Sequence, residues 1–103
     1  MPRRTVLRSG AQAEASFGEQ FAQAARLLHW AAYHTFDSRR SREGFPDWVL
    51  VRGNRLLFVE LKSDEGTLST AQAAWLAALE RVRGVEVWVW RPADWPRIRA
   101  ILA

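Results

Sequence analysis

The sequence predicts an α/β domain in which helices cover both faces of a mixed β-sheet. An Ala-rich segment with helical periodicity opens the chain, and two apolar, strand-like segments lie on either side of Gly53-Asn54. A further helical segment separates this hairpin from another apolar strand. A tight turn joins antiparallel strands, whereas a helical crossover joins parallel ones. The sequence therefore predicts both kinds of pairing in one sheet.

The first predicted helix begins near Ser9 and extends to about Trp30. Ser9 and Gln12 have the spacing of a capping box, which marks a helix start. Apolar residues then recur at the spacing of one helical face, at Phe17, Phe21, Ala25 and Leu28. The basic residues 1–8 that precede this helix predict a frayed tail, so residues 9–103 are expected to form a single domain.

A short strand and a long basic loop are predicted after this helix. The strand spans Ala31–Thr35, and the polar segment from Phe36 to Phe45 carries three arginines, Arg39, Arg40 and Arg42. Long loops in compact domains often bind ligands. A solvated connection would explain the same residues equally well.

The next two strands, Asp47–Arg52 and Arg55–Lys62, form a predicted hairpin around Gly53-Asn54, a pair suited to the positive φ angles of a tight turn. Both faces of the second strand are apolar, so both should be covered.

The C-terminal part predicts a helix, a strand and a last helix. The first helix spans about Thr70–Val82 and ends near Gly84, and the strand spans Val85–Trp90. Pro92 stops this strand, and Asp94 is expected to cap the last helix.

Composition limits the possible classes of protein. A membrane-spanning helix needs about 20 consecutive apolar residues, and no apolar run in the sequence approaches that length. The N-terminus is basic but lacks the apolar region of a signal peptide, so we expect a cytoplasmic location. The absence of cysteine excludes a disulfide scaffold and a thiolate zinc site.

The charge favours a polyanionic partner. The formal net charge is +4, and all but one of the 15 Lys and Arg residues are Arg. Arginine forms bidentate pairs with phosphate oxygens and stacks on bases. A genome rich in G and C would also favour arginine codons, so charge alone does not decide.

The hairpin register places two carboxylates together. With Gly53-Asn54 as a two-residue loop, the numbers of paired residues sum to 107, so Asp47 faces Glu60. Directly opposed side chains lie about 5 Å apart at Cβ and share a face, which Lys62 shares too. Two acids this close repel each other unless a cation lies between them. The register therefore predicts a site for a hard divalent ion.

Mg²⁺ fits such a site because one or two carboxylates usually hold it, together with waters and substrate phosphates. The ion would polarise a phosphoryl oxygen and activate a water, and the ammonium of Lys62 would orient the attacking water. Alternatively, Asp47 only begins a strand, and Glu60 and Lys62 form a surface pair. The clustering of charge at one end of an apolar hairpin argues against this alternative.

The same residues resemble the PD-(D/E)xK nuclease superfamily, through Pro46-Asp47 and Glu60-Leu61-Lys62. Motifs this short arise by chance, but further ones are more specific. These are Tyr33-His34, Asp37-Ser38-Arg39-Arg40-Ser41, Gly44-Phe45-Pro46-Asp47, Leu68-Ser69 with Gln72 and Trp75, and Trp90-Arg91-Pro92. Together they resemble the VRR-NUC family over residues 12–103.

This resemblance implies a restriction-endonuclease-like fold, dependence on Mg²⁺ or Mn²⁺, and hydrolysis of DNA phosphodiester bonds. Stand-alone family members are similar to Holliday-junction resolvases, which implies a homodimer acting on branched DNA. The implied metal ligands are Asp47, Glu60, the backbone carbonyl of Leu61 and an acid on the first helix. Glu14 matches that acid, and Glu19 is the alternative.

The resemblance also implies roles for polar residues around the carboxylates. Gln72 would support Lys62 or a metal-bound water, although a capping box with Ser69 explains its presence equally well. His34 would lie near the DNA or the metal, and the loop arginines Arg39, Arg40 and Arg42 would contact phosphates. The sequence departs from the family pattern at His29, where glycine is usual.

Three functions remain to be separated. The first is a metal-dependent DNA endonuclease, which the intact set of two acids and a lysine favours. The second is a nucleic-acid-binding module that retains the fold without turnover. The third, a protein-interaction subunit, explains neither the paired acids nor the arginine-rich loop.

Overall fold

The computed structural model describes residues 10–35 and 42–103, with residues 10–15 described as helical backbone alone. The predicted tail, Ser9, Arg39 and Arg40 lie outside the described residues, and so does the side chain of Glu14. The elements follow the predicted order: α1 (Gly10–Leu27), β1 (Ala31–His34), β2 (Trp48–Arg52), β3 (Arg55–Leu61), α2 (Thr70–Glu80), β4 (Val85–Trp90) and α3 (Trp95–Leu102).

The four strands form one mixed sheet in the order β1-β2-β3-β4. β1 and β3 each pair antiparallel with β2, whereas β4 pairs parallel with β3, so α2 is the crossover. Arg52 pairs with Arg55, as the predicted register requires. Gly53 has a φ of +61°, and Asn54 does not take a positive φ. The turn thus needs glycine at its first central position only.

One face of the sheet packs against α1 and α3 and forms the main core. Buried residues of β2, β3 and β4 meet buried residues of the two helices there; they are Trp48, Leu50, Leu57, Val59, Leu61 and Trp90, with Phe17, Phe21, Ala25, Ile98 and Leu102. The predicted stripe of α1 is therefore confirmed at Phe17, Phe21 and Ala25, while Leu28 is partly buried at its edge.

The other face is covered by α2 over β3 and β4. Phe45 connects the two layers, since its ring lies edge-on to Phe58 of β3 at 5.9 Å and to Trp75 of α2 at 5.1 Å. This face is more open near β1, where Tyr33 is exposed. Glu60 belongs to this second face, because side chains alternate along β3 and Leu61 points into the main core.

The hairpin turn is fastened to the C-terminal end of α3. Arg52 donates to the carbonyl oxygen of Leu102 at 2.8 Å, and both Arg52 and Arg55 lie over the ring of Trp30. Arg55 also makes two hydrogen bonds of 2.8 Å to Glu86 of β4. These hydrogen bonds hold the pKa of the Glu86 carboxyl below its ordinary value. The turn end of the hairpin is thus fixed, with Asp47 and Glu60 at the other end.

Some predicted boundaries were wrong. α1 ends at Leu27, not at about Trp30, and α2 ends at Glu80, not at Val82. Asp94 was expected to cap α3, but its side chain makes no capping bond there. Because a 3₁₀ turn precedes α3, the carboxylate of Asp94 accepts instead from the backbone N–H of Arg91, at 2.9 Å.

No helix in the described ranges, 10–35 and 42–103, is long and apolar enough to span a membrane.

Candidate metal and nucleic-acid site

Asp47 lies directly before β2 and is held by both neighbouring strands. Its backbone carbonyl accepts from Thr35 at 2.9 Å, which continues the ladder between β1 and β2. Its Oδ2 accepts from the backbone N–H of Leu61 at 3.1 Å. Trp48 pairs with Val59, so the same register extended by one residue sets Asp47 opposite Glu60. The predicted opposition of the two acids thus agrees with the backbone.

Glu60 is the buried acid of the site. Its side chain is 1% exposed and belongs to the face covered by α2. Burying a carboxylate costs free energy unless hydrogen bonds or opposite charge compensate it. Gln72 of α2 supplies one such bond, from its Nε2 to Oε1 of Glu60 at 3.3 Å. A buried acid beside a second, half-buried acid is an arrangement that a bound cation would stabilise.

The amide of Gln72 is oriented by the start of its own helix. Ser69 accepts from the backbone N–H of Gln72 at 3.1 Å, and the Oε1 of Gln72 accepts from the backbone N–H of Ser69 at 2.9 Å. This is the predicted capping box. Since the amide oxygen is used in the cap, the amide nitrogen is left to donate to Glu60. The two sequence interpretations of Gln72 are therefore compatible in one conformation.

Lys62 follows the last residue of β3. Its backbone N–H donates to the carbonyl of Trp90 at 3.0 Å, which extends the contact with β4 by one residue. Lys62 is half-buried. Strand alternation directs it to the face of Glu60, while the side chain of Leu61 between them is buried in the main core.

At this site the described residues can supply two carboxylates to a metal, those of Asp47 and Glu60. No group of three or more His, Cys, Asp or Glu residues suited to a metal occurs within residues 10–35 and 42–103. Two carboxylates are nevertheless sufficient for Mg²⁺ or Mn²⁺, because these ions retain waters and take substrate oxygens as ligands. The pair Asp47 and Glu60 fits such an ion. Of the candidate first-helix acids, Glu19 is exposed, and the side chain of Glu14 is outside the described part.

The candidate DNA-binding residues fall partly within the described chain. Arg42 is exposed just before the motif that ends in Asp47. His34 is half-buried and stacks on Trp48, with 4.4 Å between ring centroids and 15° between the planes. Since Trp48 belongs to the main core, this stacking gives His34 a structural role. A DNA contact by His34 stays a prediction.

Two residues were not singled out as site residues from the sequence. Tyr33 is 65% exposed. It pairs with Val49 and therefore shares the sheet face of Asp47 and Glu60. Its place next to the basic loop was the available signal. Arg91 follows β4, and its side chain donates to backbone carbonyls of the turn that follows Lys62. Nothing in the sequence indicated that contact, because its partners are backbone carbonyls.

Comparisons with known proteins bear on the family and on the fold. A family model of the VRR-NUC domain matches residues 4–93. A solved structure described as a "VRR_NUC domain protein" is similar in fold, with a TM-score of 0.68 at 16% sequence identity. The similarity covers 91% of this chain and 87% of that one. No curated protein matches the chain. The restriction-endonuclease-like α/β fold expected from the sequence is thereby confirmed.

Proposed function

This chain belongs to the VRR-NUC family of nucleases, and on that premise we propose that it is a divalent-metal-dependent endonuclease that hydrolyses DNA phosphodiester bonds. The observation that carries this proposal is the opposition of Asp47 and Glu60 at the open end of the hairpin. Both carboxylates are oriented by hydrogen bonds from neighbouring segments, Leu61 and Gln72. A buried acid opposite a second acid is an arrangement that favours a bound cation.

In this proposal Asp47 and Glu60 hold Mg²⁺ or Mn²⁺ together with the backbone carbonyl of Leu61. When bound, such an ion would supply polarisation of the scissile phosphate and a water of lowered pKa. The hydrogen bond from Gln72 keeps Oε1 of Glu60 in place. Glu14 is the proposed acid from α1, because the VRR-NUC pattern includes an acid there.

Lys62 is proposed to orient the attacking water and to stabilise charge on the phosphate. It follows the buried acid by two residues, so its ammonium would lie near both the phosphate and the ion that Glu60 would hold. An ammonium of this kind acts electrostatically in a site from which water is partly excluded. Gln72, one helical turn into α2, is proposed to support the same water.

The DNA is proposed to cross the open part of the sheet beside β1. Exposed Arg42, with Arg39 and Arg40 of the same loop, would bind phosphates. Tyr33 adds exposed aromatic surface on the face of Asp47 and Glu60, and His34, whose side chain lies on the opposite face of the edge strand β1, is a further proposed contact. The likeness of stand-alone members to junction resolvases supports branched DNA as the substrate and a homodimer as the active form.

Cleavage assays with end-labelled DNA test this function. A four-way junction and a linear duplex of the same sequence are incubated with Mg²⁺, Mn²⁺ or EDTA. We expect cleavage with either ion and none with EDTA, and faster cleavage of the junction. Binding of DNA without cleavage under any divalent ion would instead identify the protein as a nucleic-acid-binding module. Light scattering on the same samples tests the homodimer.

The variant Lys62→Ala tests the catalytic assignment. We expect it to retain its circular dichroism spectrum and its DNA affinity in EDTA, while its cleavage rate falls at least 100-fold, because general-acid, general-base and electrostatic contributions are commonly of that order. Arg97→Gln is the control, since Arg97 is exposed on α3, on the opposite side of the sheet. Wild-type turnover in Lys62→Ala would remove Lys62 from the mechanism.

A further inference from the structure

Arg91, in the sequence motif Trp90-Arg91-Pro92, contacts both ends of the turn that follows Lys62. Its Nη1 donates to the backbone carbonyl oxygens of Ser63 and Gly66. The same turn is closed by a hydrogen bond from the N–H of Gly66 to the carbonyl of Ser63, at 3.2 Å. A single guanidinium on the segment after β4 thus spans the turn between β3 and α2.

The turn and the segment after β4 are tied at further points. The backbone N–H of Ala93 donates to Oδ1 of Asp64 at 3.3 Å. On the other side of the turn, the N–H of Lys62 donates to the carbonyl of Trp90 at 3.0 Å. The chain therefore leaves β3 along a path that contacts from residues 90–93 define, and the side chain of Arg91 makes the central ones.

This path connects two residues of the candidate site. Lys62 precedes the turn and Gln72 follows it, and Gln72 reaches Glu60 by a hydrogen bond of 3.3 Å. A shift of the turn would therefore move the ammonium and the amide relative to the buried carboxylate. Displacements of about 1 Å in a catalytic arrangement can lower a rate on the order of 100-fold.

We propose that Arg91 is a positioning residue, which acts on catalysis through the turn at 63–66 by keeping Lys62 and Gln72 in place around Glu60. This inference rests on the proposed nuclease function. Arg91 is half-buried, and two backbone carbonyl oxygens accept from its Nη1. A cation in that position is costly unless it is hydrogen-bonded, and an apolar side chain would leave the carbonyl of Gly66 without this donor.

The experiment compares Arg91→Ala, Arg91→Lys and wild type under single-turnover conditions with saturating Mn²⁺. We expect Arg91→Ala to lower the cleavage rate on the order of 10-fold to 100-fold, with little change in the DNA concentration that gives the half-maximal rate. Arg91→Lys should restore much of the rate, because an ammonium can still donate to both carbonyls. Arg83→Ala, which removes an exposed arginine beyond α2, is the charge-matched control.

A second variant disturbs the same turn more mildly and keeps Arg91, so that an effect on rate can be told from a loss of folding. Asp64→Ala removes the acceptor of the Ala93 N–H and leaves Arg91 in place, so we expect a smaller loss of rate with the same unchanged half-saturation. Combining Arg91→Ala with Gln72→Ala should cost less than the product of the two single effects, because both act on one arrangement.

Several results would overturn the inference. One is a cleavage rate of Arg91→Ala equal to that of wild type. Another is a loss in Arg91→Ala that is confined to DNA affinity, which would make Arg91 a phosphate contact. A third is a double variant whose loss of rate equals the full product of the Arg91→Ala and Gln72→Ala losses. Failure of the lysine variant to restore any rate would also count against it. An inactive wild type would overturn the proposed function itself and this inference with it.

Discussion

At the residue scale, the side-chain amide of Gln72 is divided between two neighbours. Its oxygen accepts from the N–H of Ser69 in the capping box, and its nitrogen donates to the buried Glu60. A local feature of the helix start thereby selects which end of the amide faces the acid. Since the donor cannot reach Glu60 unless the helix begins at this point, the start of α2 and the geometry of the acid pair depend on each other.

Asp47 is the proposed metal ligand opposite Glu60, and the variant Asp47→Asn tests that role. Asparagine can still accept from the N–H of Leu61 through its amide oxygen, but it removes the negative charge opposite Glu60. We expect its melting temperature in EDTA to be no lower than that of wild type. Metal present at 100 times its Kd should stabilise wild type by about 2.7 kcal/mol, which for a domain of this size is about 10 °C or more. The variant should lose most of that shift.

Differential scanning fluorimetry with a Mn²⁺ titration measures both quantities. Glu80→Gln is the control, since Glu80 is an exposed acid at the end of α2. A full Mn²⁺ shift in Asp47→Asn would show that Asp47 is not a ligand. A lower melting temperature in EDTA would show that the two acids do not repel each other in the metal-free protein.

At the element scale, α1 ends in a Schellman motif that carries histidine in place of glycine. The N–H of Trp30 donates to the carbonyl of Ala25 at 2.9 Å, and the N–H of His29 donates to the carbonyl of Arg26 at 3.0 Å. His29 accordingly has a φ of +67°. This left-handed conformation is the one that glycine adopts without steric cost. The departure from the family pattern noted in the sequence is thus a strained helix end.

His29→Gly should therefore stabilise the protein. Relief of the left-handed strain is worth about 1–2 kcal/mol, and the greater backbone freedom of glycine in the unfolded chain offsets part of it, so we expect a net gain of about 0.5–1 kcal/mol. Urea denaturation measures the gain as a higher midpoint at unchanged slope. His29→Ala keeps the Cβ atom and should show no gain. Equal stability of the glycine and alanine variants would mean that loss of the imidazole, not relief of strain, is responsible.

The segment that presents Asp47 depends on a second glycine. Gly44 has a φ of +86°, and a Cβ atom added there would lie 2.5 Å from the backbone carbon of Ala71, near the start of α2. The chain can therefore approach α2 this closely only because Gly44 has no side chain. Because Pro46 and Asp47 follow at once, this close approach sets the position of Asp47 relative to Gln72.

Gly44→Ala should lower both stability and the response to metal. We expect a loss of more than about 1 kcal/mol, since the positive φ and the clash add, and a smaller Mn²⁺-induced rise in melting temperature. Gly53→Ala separates these causes, because Gly53 also has a positive φ but has open space around its Cβ position. That control should lose stability and keep its full metal response. Equal metal responses in the two variants would mean that Gly44 does not position Asp47.

Elements fixed by local chemistry were predictable from the sequence, and those fixed by distant contacts were not. Gly53-Asn54 determined the hairpin register, and with it the opposition of Asp47 and Glu60, because a two-residue loop allows one pairing. Asp94 failed as a helix cap because the 3₁₀ turn before α3 redirected its carboxylate. The contacts of Arg91 could not be foreseen, because they join residues that are 28 and 25 positions apart in the chain.

At the scale of the whole molecule, the two faces of the sheet have different tasks. The face under α1 and α3 holds the main core, including Leu50, Leu57 and Val59. The other face carries Glu60 under α2 and remains open towards β1. This division lets an acid be buried beside an accessible surface without breaking the main core. The net charge of +4 would draw a polyanion to the molecule as a whole, and the exposed Arg42 lies in the segment that leads to Asp47.

The salt dependence of DNA binding measures which of these charges contact phosphate. In EDTA, where the DNA stays intact, the logarithm of the affinity should fall linearly with the logarithm of salt concentration, and each lost phosphate contact should lower the slope by about 0.9 on duplex DNA. We expect that decrease for Arg42→Gln, measured by fluorescence anisotropy. Arg97→Gln removes an exposed charge of the same kind on α3, behind the main core, so its slope should match wild type. If both variants lower the slope equally, DNA binds through the diffuse charge of the molecule, and the open side of the sheet is not its binding surface.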